Sequence, residues 1–244
     1  MQGSDLRLRP RLLPSGHRSD CWKFKSLRVQ EIEVTLSDYI EQHIDKEHPY
    51  LYKLWRDTNL QQVRGHMASG HLQGVVLRML VGMIRPRRIL EIGTYTGYSA
   101  LSMASALDDG ATIDTYEIND ELEDFTRRNI ELSPWADKVR LHIGDVLTEL
   151  GEEQPTELYD LIFIDGNKRQ YCDYYHLALR LLTPRGYILA DNTLWDGHII
   201  DPTYDHDAQT LGIRDFNEEI SQDSRVEKVI LPLRDGLTLI RRKD

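Results

Sequence analysis

The stretch Ile89-Leu90-Glu91-Ile92-Gly93-Thr94-Tyr95-Thr96-Gly97-Tyr98-Ser99 limits what this chain can fold into more than any other. Ile89, Leu90 and Ile92 make a short apolar run suited to a strand buried on both faces. Gly93 and Gly97 then allow a sharp turn and a close backbone approach to a ligand, and the pattern predicts helix from Tyr98 to about Leu107. Strand, glycine turn and helix in that order open a nucleotide-type α/β domain, with the ligand against free backbone N–H groups. The dinucleotide fingerprint G-x-G-x-x-G is not met, because Thr94 and Tyr95 follow Gly93.

Downstream the periodicity alternates. Strands are expected over 111–118, 139–143, 159–164 and 187–190, with helices over 121–132, ended by Pro134, and 168–182, ended by Pro184. Strands interleaved with helices of this length imply right-handed crossovers and a parallel sheet covered on both faces. After a helix over 209–221, the apolar runs 226–233 and 237–240 flank Arg234-Asp235-Gly236, and Asp-Gly between two such runs marks a hairpin. Helices over 35–46 and 50–63 precede the sheet as a helical lid, and the polar bend 67–74 leads into an apolar helix ending near Ile84. The fold class is therefore α/β: a Rossmann-like, doubly wound, mostly parallel seven-stranded sheet with a C-terminal antiparallel hairpin and N-terminal helices.

No Pro/Gly-rich linker divides the 244 residues, so a single domain over 31–244 is expected behind a basic, disordered extension over 1–30. Residues 1–28 hold seven Lys/Arg against two Asp, while the whole chain carries a net charge of −10. The body is thus more acidic than the whole, which speaks against nucleic acid as a partner. The apolar run 75–84 is short of the roughly 18 residues of a membrane span and carries Arg78. Cys21 and Cys172 are the two cysteines; no disulfide framework is possible and a reducing, cytoplasmic setting is expected.

In such sheets ligands bind beyond the carboxyl ends of the strands, so the acids there matter most. Glu117 ends the second strand, where a carboxylate can accept both hydroxyls of a ribose. Ile164 runs into Asp165, and Ala190 runs into Asp191-Asn192. Two carboxylates and one amide carbonyl at the same sheet edge are a hard-oxygen set for Mg²⁺, Mn²⁺ or Ca²⁺, with no soft ligand to favour zinc. The bland alternative is a pair of helix N-caps.

Three strings then carry a resemblance: 91–99, Ile164-Asp165-Gly166-Asn167-Lys168-Arg169-Gln170-Tyr171, and Asp191-Asn192-Thr193-Leu194-Trp195-Asp196-Gly197. From about Met67 onward the chain resembles the cation-dependent O-methyltransferases, the group of catechol and caffeoyl-coenzyme A O-methyltransferases within the class I S-adenosylmethionine-dependent enzymes. The resemblance implies metal ligands at Asp165, Asp191 and Asn192 and a catalytic lysine at Lys168. It implies S-adenosylmethionine contacts at Glu91, Gly93, Thr94, Tyr95, Ser99, Glu117 and Asp165, with Met67, Ala68, Asp145 and Val146 matched in loops. Substrate contacts fall on Lys168, Trp195 and Asp196, the acceptor is a small aromatic vicinal diol, and the assembly is a homodimer. Gly166-Asn167 stands where plant-type members carry Ala-Asp, and Asp196 where they carry Asn. The resemblance therefore carries the chemistry and not the plant acyl-thioester substrate.

As a general base, Lys168 must be neutral, which requires burial and a cation to depress its pKa. Trp195 and Tyr204 are candidate walls for an aromatic substrate, while His198 and His206 read as solvated loop histidines. Two alternatives stand beside this reading: a nucleotide-dependent oxidoreductase, opposed by the missing fingerprint, and a non-catalytic S-adenosylmethionine-binding module, which would have shed the metal ligands or the lysine.

Overall fold

The computed structural model describes residues 35–151 and 157–243, so the basic extension over 1–30 and Cys21 lie outside the described residues. Seven strands form one sheet: β1 Arg88–Ile92, β2 Thr112–Glu117, β3 Val139–Ile143, β4 Tyr159–Ile164, β5 Leu182–Asp191, β6 Val226–Leu231 and β7 Leu237–Arg242. Their order is β3-β2-β1-β4-β5-β7-β6, with β1 to β5 parallel and β7 antiparallel to both β5 and β6. The order reverses between β1 and β4, which pair in parallel register with Ile92 opposite Ile164. A ligand crevice opens beyond the carboxyl ends of strands at such a reversal.

Alternating side chains divide the core between the two faces of the sheet. Leu90, Ile92, Ile162, Ile164 and Ile188 join one apolar cluster with α7 (Tyr171–Leu181) and α8 (Ala208–Gln222). Ile89, Ile113, Leu161, Phe163 and Leu189 join the other with α2 (Pro49–Gln61), α3 (His71–Ile84) and α4 (Tyr98–Ala104). Helix α5 (Glu123–Glu131) adds Ile130 to this second cluster, and a one-turn α6 (Val146–Glu149) follows β3.

The N-terminal helices depart from the expected lid. Helix α2 buries Leu51, Leu54 and Thr58 in the sheet's second layer, and only the segment after it, from Gln62 to Met67, reaches the cleft. Helix α1 (Leu36–His43) starts at a Thr35 capping box with Asp38 but buries no residue. Leu36 and Tyr39 stay exposed because α1 is tied down by polar contacts instead: His71 Nδ1 to Glu41 at 2.7 Å, His71 Nε2 to the Asp45 carbonyl at 2.7 Å, and Arg78 to Asp45 at 3.0 Å.

The segment Gly65–Ile84 has the length and apolar character of a membrane span. Gly70 at φ 80° breaks it into a 3-10 turn and the 14-residue α3. At 1.5 Å per residue α3 is about 21 Å long, short of a hydrocarbon core of about 30 Å.

Candidate functional site

A cleft of about 1200 Å³ lies at the carboxyl edge of the sheet, larger than the roughly 300–1,000 Å³ of a one-ligand pocket. Its floor is where β1 and β4 end side by side. The Asp165 N–H donates to the Ile92 carbonyl at 2.8 Å, and a Cβ on Gly93, which sits at φ 101°, would come within 2.4 Å of the Asp165 carbonyl. The glycine at 93 is thus required by backbone packing against the next strand as well as by the turn. Gly97, at φ 89°, supplies the left-handed residue from which α4 starts.

The cofactor candidates separate into two shells. Met67, Gly93, Tyr95, Glu117, Asp145, Val146 and Asp165 line the cleft. Ala68, Glu91, Thr94 and Ser99 are buried beneath its wall. Glu117 accepts from the Tyr95 N–H at 2.7 Å and the Asn119 N–H at 2.9 Å, which braces the turn after β1 against the end of β2. Burial pushes the Glu117 carboxyl above its usual range, against the pull of those backbone donors. Asp145 caps α6 by accepting from the Leu147 N–H at 3.0 Å. Thr94 and Thr115 share a hydroxyl contact of 2.6 Å.

Glu91 faces the α4 side of the sheet, directly opposite Thr115 in the β1–β2 register. Its Oε2 accepts from the Thr115 hydroxyl at 2.5 Å, while Oε1 is buried with no hydrogen-bond partner among the described residues. Complete burial, only partly offset by Ser99 and Thr115, pushes this carboxyl up to about 8. An orphaned acidic oxygen under the cofactor turn fits an ammonium-bearing ligand such as the methionine half of S-adenosylmethionine.

The three candidate metal ligands and all three substrate candidates line the same cleft. Asp191 is 4% exposed, and its Oδ2 accepts from Gln73 Nε2 at 2.6 Å. Burial first, and then the negative charge of Asp165, push its carboxyl up to about 7. Asn192 is held at φ 57° with its Nδ2 3.4 Å from Asp235 Oδ2, a direction that leaves the amide oxygen for another partner. Among the described residues no group of three His, Cys, Asp or Glu gathers to hold a metal. The set here is two carboxylates and an amide, and a buried like-charge pair of this kind fits a hard divalent cation.

Lys168 does not begin a regular helix. It opens a 3-10 turn, Lys168–Gln170, capped by the Asn167 side chain, and α7 starts only at Tyr171. Gly212 of α8 presses on that turn, since a Cβ there would lie 2.3 Å from the Lys168 carbonyl. The ammonium donates to Asp165 Oδ1 at 2.8 Å and to the Tyr171 hydroxyl at 3.0 Å, and stands 5.9 Å from the Trp195 ring centre. The expected depression of its pKa is not what these contacts produce: burial pulls it down, but Asp165 and Tyr171 together outweigh burial and hold Lys168 charged. The Tyr171 hydroxyl in turn donates a hydrogen bond to the Asp191 backbone carbonyl at 2.9 Å.

The loop after β5 hangs on the hairpin. The Leu194 and Trp195 N–H groups both donate to the Asp235 carbonyl, at 2.7 and 3.1 Å. Trp195 and Asp196 line the cleft, whereas Tyr204 stacks on His198 at 3.6 Å between ring centres and does not. His198, read as a solvated loop residue, lines the cleft with its ring so covered; His206 does not line it. Gln73, Tyr171, Arg234 and Asp235 were not singled out by sequence reasoning. The available signals were an amide in the first turn of α3, ahead of its apolar run, and two charges in a hairpin turn.

Known proteins agree with this arrangement. Caffeoyl-CoA O-methyltransferase 1 of Eucalyptus globulus is 32% identical over 93% of this chain and 98% of its own length, and its namesake in Zea mays is 34% identical over 80% and 79%. A Bacillus cereus O-methyltransferase solved in complex with SAH superimposes with a TM-score of 0.78 at 31% identity, covering 84% of this chain and 96% of that one. The SAH-bound Podospora anserina methyltransferase gives 0.78 at 29% identity over 93% of this chain and all of its own. A family model described as O-methyltransferase matches residues 41–243, and with the sheet order and the cleft it establishes that the chain belongs to the O-methyltransferase family and uses S-adenosylmethionine.

Proposed function

We propose that this S-adenosylmethionine-dependent O-methyltransferase acts on a hydroxyl of a small aromatic vicinal diol and depends on a divalent cation, Mg²⁺ with Mn²⁺ or Ca²⁺ as substitutes, held by Asp165, Asp191 and Asn192. The observation that carries the reading is the buried Asp191 carboxylate, raised by burial and by Asp165, in a cleft beside Asn192, whose amide nitrogen is turned to Asp235. The Lys168 ammonium answers Asp165 at 2.8 Å, and Asp191, which among the described residues has an amide and no cation against its carboxylate, is the member that a bound cation would relieve. When bound, the cation would polarise the two vicinal oxygens and favour the phenolate at neutral pH, where a free phenol with a pKa of about 10 is a weak nucleophile.

The chain's own residues supply the rest. Glu117 would take the ribose hydroxyls, and Glu91, buried beneath the turn after β1, would answer the charge of the methionine half's ammonium. Trp195 offers a ring wall, and Asp196 sets the charge of the acceptor's surroundings. Lys168 is the candidate base for the hydroxyl proton. A cation held by Asp165 would weaken the pairing that, with Tyr171, keeps Lys168 charged, and burial would then weigh more on its protonation. The plant relatives are named for caffeoyl-CoA; Asn167 and Asp196 argue for a smaller acceptor here. We propose a cytoplasmic homodimer; the exposed Leu36 and Tyr39 of α1 support the second copy. The family assignment removes the oxidoreductase alternative, and no observation favours a non-catalytic module.

The test is chelation with a panel of acceptors. Excess chelator should abolish methyl transfer to vicinal diols and leave S-adenosylmethionine affinity in place, Mg²⁺ should restore the rate, and isolated phenols should be poor acceptors. Full rates in chelator, or equal rates on isolated phenols, would overturn the proposal.

A further inference from the structure

We infer that Arg234 and Gln73 are positioning residues that aim the Asp191 carboxylate, so that the hairpin turn between β6 and β7 sets the geometry of the candidate cation site. The inference rests on the reading of Asp191 as a ligand. Arg234 Nη1 donates to Gln73 Oε1 at 3.0 Å, and Gln73 Nε2 donates to Asp191 Oδ2 at 2.6 Å. These three residues lie 161 and 118 positions apart along the chain, so the relay exists only in the finished fold.

The chemistry of the middle position admits few side chains. A guanidinium only donates and an ionised carboxylate only accepts. The group between them must accept at one end and donate at the other, and an amide does so in one orientation alone. Arg234 therefore selects which end of Gln73 faces Asp191. Gln73 is locked in place: it is 2% exposed, and the next residue, Gly74, packs so closely on α4 that a Cβ would lie 3.0 Å from the Ser102 hydroxyl.

Arg234 is oddly placed for a structural residue. It is exposed, holds a left-handed φ of 48°, and its guanidinium lies over the start of α3, 3.8 Å from where a Cβ on Gly70 would be. A cation is disfavoured at a helix N-terminus. Among the described residues it has no carboxylate partner, and the hydrogen bond it makes is the one to Gln73. Its neighbour Asp235 meets the amide nitrogen of Asn192 from the same turn. Two consecutive turn residues thus orient two consecutive candidate ligands, and loss of such outer partners commonly weakens metal affinity about 10–100-fold.

The experiment titrates Mn²⁺ alone into the full chain and into Gln73→Leu, Arg234→Ala, Arg234→Lys and the double variant Gln73→Leu/Arg234→Ala, following free Mn²⁺ by electron paramagnetic resonance. Gln73→Leu should weaken Mn²⁺ binding about 10–100-fold while S-adenosylmethionine affinity stays within about twofold, and saturating Mn²⁺ should recover most of kcat. Arg234→Ala should weaken Mn²⁺ binding less, Arg234→Lys should restore it in part, and the alanine should add nothing in the Gln73→Leu background. Unchanged Mn²⁺ affinity in Gln73→Leu, or an Arg234 effect of equal size in both backgrounds, would overturn the relay. If Gln73→Leu does not fold, Arg234→Ala decides alone, since its side chain is exposed: wild-type Mn²⁺ affinity there overturns the relay. A wild-type chain that binds no Mn²⁺ removes the cation reading and the relay together, whereas a wild-type chain that binds it normally beside unaltered variants removes only the relay.

Discussion

Replacing Glu91 by Gln should stabilise the free enzyme while weakening its grip on the cofactor. The wild-type carboxyl is pushed from 4.5 up to about 8 by complete burial, so at neutral pH the folded chain keeps a proton that the unfolded chain releases. The sign follows. Stability from this group is whole below the unfolded pKa of about 4.5 and is lost as pH rises toward about 8. Each pH unit in that window costs about 1.4 kcal/mol, so between pH 5.5 and 7.5 the wild type should lose about 3 kcal/mol relative to a chain that cannot titrate there. Glutamine is that chain: it is nearly isosteric, stays neutral, and can still accept from Thr115. Urea unfolding of both proteins at the two pH values measures the difference, because groups that titrate alike in both cancel. Adding S-adenosylmethionine should reverse the order at pH 7.5, since an ammonium at the orphaned oxygen rewards the ionised glutamate and not the amide. A stability difference between the two proteins that does not change with pH would refute the argument, because Glu91 would then be ionised in the folded chain.

Two further outcomes follow from the packing and the proton chemistry. Gly93→Ala places a Cβ 2.4 Å from the Asp165 carbonyl at a φ of 101° and should destabilise the fold by about 3 kcal/mol or more, read as a fall in Tm. Lys168→Ala should lower kcat about 10²–10⁴-fold with a modest change in KM, and Lys168→Arg should not recover it because a guanidinium keeps its proton. The loss should shrink for a nitro-substituted diol, which arrives already ionised; an equal loss for acidic and ordinary diols would mean that Lys168 positions the acceptor instead of deprotonating it.

Strand ends were legible because a parallel sheet leaves its polar residues where the apolar runs stop: Asp165 and Asp191-Asn192 needed no tertiary information. The helices were legible in kind and less so at their starts. Lys168 falls in a 3-10 turn, and so do Asp120 to Leu122 ahead of α5, because Asn167 and Asn119 cap short turns whose signals resemble helix N-caps. Strand β5 begins at Leu182, five residues before the expected start, since pairing with Tyr159 of β4 overrides the local effect of Pro184. The charge state of Lys168 and the relay through Gln73 were not legible. The relay depends on side chains that meet across more than a hundred residues of chain, and the charge of Lys168 on how the fold turns Asp165 and Tyr171, each three residues away, onto one buried ammonium; periodicity carries nothing of either.

The position of β7 has a consequence for the order of events during synthesis. This strand enters the sheet beside β5, with Leu237 paired opposite Asp191, and the turn before it anchors the loop 193–195 and reaches back to Gln73 in α3. Until 237–242 leave the ribosome, β5 is an open edge with an acidic tip and no partner on that flank. Parallel strands formed earlier wait on a late, long-range closure, which is slow and leaves an edge available for mispairing. Assembly of the methyl-transfer cleft and completion of the fold are therefore one and the same step, and a chain arrested just short of it would be sticky and inert together.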